Sequence, residues 1–141
     1  MIRVTIEGRF HGLNDFIDAN RRTQGKWNAG NSMKQNDQKI IMYSLPRVQF
    51  SGKVFLHYHF FEPNTRRDKD NISGYFHKVF QDAMVAKGII PNDGWKYIEG
   101  MADSFYVDRN RPRVEVEIYG ENDTKGKNLT AHEEKRRHHE R

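Results

Sequence analysis

Ile2, Val4 and Ile6 alternate with Arg3, Thr5 and Glu7, a period of two that predicts a half-buried strand over residues 2–7. Val114, Val116 and Ile118 alternate in the same way against Arg113, Glu115 and Glu117, which predicts another over 113–119. Residues 48–61 are rich in Val, Phe, Tyr and His. Val54, Leu56, Tyr58 and Phe60 share one face and Phe55, His57, His59 and Phe61 the other, so this strand is expected to be central and buried on both sides. After the turn signal Pro91-Asn92-Asp93-Gly94, residues 97–107 read as a further strand.

Two stretches carry a helical period instead. Met33, Ile40, Ile41 and Leu45 fit one helix face, with Ser32 as N-cap, Gln35 completing a capping box, and Pro46 ending the run. Ile72, Phe76, Val79, Phe80, Ala83 and Ala86 form a second stripe, stopped by Lys87-Gly88. Residues 8–31 show no clean period and read as a long loop. The order strand, helix, strand, helix, strand, strand predicts an α+β fold for residues 1–120: a single domain, one mixed β-sheet with two main helices packed mainly on one face. Strand order does not follow from the pattern. Beyond Gly120 almost nothing is apolar, and residues 121–141 read as a charged, disordered C-terminal tail.

Composition narrows the functional classes. The net charge of +5 over 141 residues favours an anionic partner such as nucleic acid, although many soluble proteins are mildly basic without one. The absence of cysteine excludes disulfides, thiolate-ligated zinc and a cysteine nucleophile. No apolar run has membrane-spanning length and the N-terminus lacks a signal-peptide pattern, so a cytoplasmic protein with no membrane partner is expected.

The candidate chemistry centres on Arg66-Arg67-Asp68-Lys69-Asp70-Asn71. In an extended junction, residues two apart point the same way, so Asp68 and Asp70 can face one hard cation. Capping by Asp70 or Asn71 explains one such residue but leaves Asp68 surplus. Lys78 lies seven positions after Asn71, within roughly 20° of it on the helical wheel. Asp82 is an i,i+4 partner for Lys78, and Asp93 is an ordinary turn residue unless the fold returns it to the site. Candidate phosphate contacts are Arg21, Arg22 and Lys26 beside Trp27, Lys34 and Lys39 on the helix after Ser32, and Arg66, Arg67 and Lys69. His57 and His59 project to one side, and such a pair can bind zinc, but with no third ligand in the pattern packed histidines are the simpler reading.

Arg67-Asp68-Lys69-Asp70-Asn71, then Lys78-Val79-Phe80-Gln81-Asp82-Ala83, then Asn92-Asp93, resembles the RusA family of Holliday junction resolvases. The resemblance is specific over 66–93 and extends in character to Gly12-Leu13-Asn14. It implies a homodimeric endonuclease, phage- or prophage-encoded in a bacterial cell, that resolves four-way DNA junctions by paired nicks. It further implies that Asp68, Asp70 and Asp93 carry Mg²⁺, with Mn²⁺ as a substitute, and that Lys78 is the catalytic lysine. Lys78 follows the Asp-x-Asp-Asn motif about one turn later than in the family, so Lys69 or Arg67 competes for its role. The alternative is a non-catalytic basic DNA-binding module in which the aspartates only cap and turn.

Overall fold

The computed structural model describes residues 1–22 and 28–123. It contains β1 (Ile2–Glu7), α1 (Leu13–Arg21), α2 (Ala29–Ser44), β2 (Val54–Glu62), α3 (Lys69–Ala86), β3 (Ile98–Val107) and β4 (Arg113–Tyr119). One mixed sheet has the order β1-β4-β2-β3. β4 runs antiparallel to both β1 and β2, whereas β2 and β3 are parallel. A parallel pair needs a crossover, and α3 supplies it. The expected α+β fold is present, with the helices packed against the sheet. None of the described helices is long and apolar enough to cross a membrane.

The core lies between the helices and the face formed by Val4, Ile6, Val54, Leu56, Tyr58, Phe60, Val114, Val116 and Ile118. α3 buries Ile72, Phe76, Val79, Phe80 and Ala83 there, and the Phe76 ring meets Tyr58 and Phe60 edge-on. Ala86, expected on the same stripe, is exposed because the helix ends there, and Tyr75 and Met84 widen the buried face.

Three boundaries differ from the expectation. The segment 8–31, read as a loop, contains α1. Leu13, Phe16 and Ile17 recur at helical spacing, but the helix is short and only Ala19 is fully buried, while Phe16 leans on the Tyr75 ring at 5.4 Å. α2 begins at Ala29, since Asn28 accepts the Asn31 N–H at 2.9 Å and pre-empts Ser32 as the cap. Ile40, placed on its apolar face, is half exposed. β2 begins at Val54, because residues 51 and 52 form a bend.

The charged positions of β4 depart most from expectation. Arg113, Glu115 and Glu117 are buried rather than solvated, and β4 is an interior strand rather than an edge. Each is satisfied locally. The Arg113 guanidinium donates to Glu115 at 2.8 Å and Asp108 at 2.9 Å, and stacks 3.8 Å above the Phe61 ring. β4 is thus hydrogen-bonded to a neighbour on both sides, and the outer strands are β1 and β3.

At the end of the domain, Gly120 N–H donates to Asp123, Asp123 pairs with the N-terminal ammonium at 3.1 Å, and Glu121 accepts from the Lys53 N–H. The first three residues of the expected tail thus rest on the body. Residues 124–141 lie outside the described residues.

Candidate functional site

α3 begins where β2 has ended and the chain turns back toward the helical layer. Asp68 is its N-cap by backbone conformation, yet its carboxylate makes no capping hydrogen bond. Asp70 lies in the first turn, where the helix dipole favours negative charge. Both are exposed, and neither carboxylate has a hydrogen-bond or ion-pair partner among the described residues. They border an open cleft of about 720 Å³, lined also by Glu62, Arg67, Lys69, Ile72 and Phe105. The Lys69 ammonium sits 5.4 Å from the centre of the Phe105 ring.

The motif's other members have structural work. Arg67 forms a two-bond fork on Glu62, at 3.0 and 2.9 Å, and donates to the Phe10 carbonyl at 3.0 Å. It is largely buried, and these donors face inward. Arg66 and Lys69 remain exposed. Asn71 accepts the Asn14 N–H at 2.8 Å, tying the start of α1 to the start of α3. That close approach requires Gly12. A Cβ there would lie 2.7 Å from the Asn71 side-chain oxygen and 2.9 Å from its backbone oxygen. Gly12→Ala is expected to cost about 1–3 kcal/mol, because the carbonyl cannot move without shifting α3. Denaturant unfolding checks it, and an unchanged midpoint would show that the junction is loose.

Lys78 meets two acids, Asp82 at 3.2 Å and Asp93 at 3.2 Å. The i,i+4 partner expected from spacing is present, and the fold also returns Asp93 to α3. Both acids hold the proton on Lys78, raising its pKa above the ordinary lysine value, with Asp82 the larger influence and Asp93 next. Lys34 joins this group through Asp82 at 2.9 Å. Lys78 stands eight residues beyond Asp70, roughly 12 Å along the helix. Asp68, Asp70 and Asp93 do not gather their oxygens within 4.8 Å of one another. Asp68 and Asp70 both line the cleft, but α3 begins at Lys69, so the extended junction expected to aim the two side chains alike is not formed; Asp93 pairs with Lys78 two turns on.

Of the remaining basic candidates, Arg21 and Arg22 are exposed at the end of α1, with Arg21 3.7 Å from Asp18. Lys39 is exposed on α2. Lys26 and Trp27 lie outside the described residues.

Two features escaped the sequence reading. Glu62, which lines the cleft, carries only the weak signal of closing a hydrophobic strand. Glu117 looked like a solvent-facing strand residue, but it joins His57 and His59 in a buried group that could hold a metal ion.

No protein-family model matches this chain, and no curated protein matches it.

Proposed function

We propose that the protein is a Mg²⁺-dependent endonuclease of the RusA type, acting on four-way DNA junctions. The observation that carries this reading is the two exposed carboxylates that line the cleft and have no partner among the described residues. A helix start needs one cap and gains little from a second acid, and Asp68 does not use its side chain for capping. Carboxylates beside basic residues repel DNA unless a cation intervenes, so a simple phosphate-binding surface gives no reason for them.

The donor set fits the ion. Mg²⁺ prefers oxygen ligands, keeps several waters and needs only one or two protein carboxylates, which Asp68 and Asp70 would provide. When bound, such an ion supplies an activated water and neutralises charge on the phosphate. Arg66 and Lys69, exposed on either side of Asp68, contact the phosphate backbone. Arg67 holds Glu62 in place beside them. Asp93 and Lys78 enter through the family resemblance, and the geometry supports them as a pair with each other.

A nicking assay on junction, flap and linear duplex DNA, with and without Mg²⁺, tests the proposal. Junction nicking in Mg²⁺ or Mn²⁺ and none in chelator is expected. Undiminished nicking in chelator would remove the metal from the reading, and binding without nicking under all conditions would leave a DNA-binding module.

Paired nicks on a two-fold junction also call for two sites, so the proposed active unit is a homodimer. Light scattering across a dilution series, run beside junction cleavage, should show a dimer at active concentrations. Junction resolution by a species that is monomeric on and off DNA would refute this.

A further inference from the structure

We infer that His57, His59 and Glu117 form a zinc site inside the sheet, separate from the carboxylates of the cleft. The three side chains leave the same face of β2 and β4, and all are fully buried. His57 stands directly opposite Glu117 in the β2–β4 register, while His59 reaches it diagonally. One carboxylate oxygen, Glu117 Oε1, lies 2.7 Å from His59 Nε2 and 3.7 Å from His57 Nδ1. Tetrahedral zinc with bonds of about 2.0–2.1 Å holds its ligand atoms roughly 3.3 Å apart. The observed separations bracket that value.

The outward-facing atoms of the same side chains are each held by another residue. His57 Nε2 is 2.8 Å from Ser104 Oγ, and His59 Nδ1 is 2.8 Å from Tyr106 Oη, both on β3. Glu117 Oε2 accepts from Arg3 on β1 at 2.8 Å. Partners of this kind fix the tautomer and ring orientation of metal-bound histidines. With Ser104 and Tyr106 on one nitrogen of each ring, the other nitrogen of each turns toward Glu117 Oε1. The site would therefore draw on all four strands, directly through β2 and β4 and through their supports on β1 and β3.

The donor chemistry selects the ion. Two imidazoles and one carboxylate suit zinc, whereas Mg²⁺ takes oxygen ligands. Three protein ligands leave the fourth tetrahedral position to a water, and full burial keeps the ion away from large substrates.

The test uses the full-length protein, stripped with chelator and titrated with Zn²⁺ against a colorimetric competitor. One Zn²⁺ per chain and a melting temperature raised by Zn²⁺ but not by Mg²⁺ are expected. His59→Gln should abolish that binding. Should it fail to fold, Tyr106→Phe keeps the ring and removes only the hydroxyl that orients His59, and its zinc affinity should fall about 10- to 100-fold. Failure of the wild-type protein to bind zinc would overturn the inference, leaving a hydrogen-bonded histidine–glutamate network. Wild-type affinity in either variant would do the same, by placing the ion elsewhere, for example at His138-His139. None of these measurements depends on nicking, so the outcome is separable from the nuclease proposal.

Discussion

Asp70→Asn is expected to lower junction nicking by at least about 100-fold, the scale seen when one directly acting electrostatic group is lost. DNA binding should persist or tighten, because one negative charge facing the phosphates disappears. The substitution keeps nearly the same shape, and Asp70 is exposed with no hydrogen-bond partner among the described residues, so the described fold loses only its interaction with the helix dipole. That interaction is worth about 0.3–1 kcal/mol, too little to unfold the domain. A gel-shift series and a cleavage time course on the same preparation separate the two effects. Near wild-type cleavage would reduce Asp70 to a first-turn acid and withdraw it from the site. Asp68→Asn should behave alike, since its side chain does not cap the helix.

Arg67→Ala is expected to act on stability rather than only on DNA affinity. Its guanidinium is the fork that neutralises Glu62, whose side chain is only 9% exposed, and it also satisfies the Phe10 carbonyl. Removing one partner of a buried pair typically costs about 3–5 kcal/mol, because the remaining charge stays buried without compensation. Arg9 lies 3.8 Å from the same glutamate and softens the loss, so about 2–4 kcal/mol is expected. Urea unfolding of the variant beside Arg66→Ala makes the comparison direct. Arg66 is exposed, and its loss should leave stability within about 0.5 kcal/mol while weakening DNA binding. Equal stability of the two variants would show that the Glu62 fork contributes nothing net.

These contrasts show where local pattern was enough and where it was not. Residues 2–7 and 113–119 were readable as strands, and the stripe from Ile72 to Ala83 as a helix, because period is set by backbone geometry within each element. The double-sided apolar character of 54–61 marked β2 as central for the same reason. Local signals also suggested the surplus acid at 68–70 and the Lys78–Asp82 pair, both of which depend on neighbours within one helical turn. α1 was missed although Leu13, Phe16 and Ile17 recur at helical spacing, because nine residues set among glycine, asparagine and basic residues give the period too little length to stand out.

The tertiary structure alone decided which charges face inward. Arg113, Glu115 and Glu117 alternate as a solvated strand face would, yet β4 lies between β1 and β2 and all three are buried. Strand order depends on contacts far apart in sequence, such as Arg3 with Glu117, and no period along the chain encodes them. The same holds for Arg67, drawn to Glu62 and Phe10, and for Asp93, brought to Lys78 by the turn after α3. Sequence by itself determined every element but α1, and the residue types of the candidate site. Folding decided which of those residues meet, since a side chain's partner is set by the packing of elements and not by its own position in one of them.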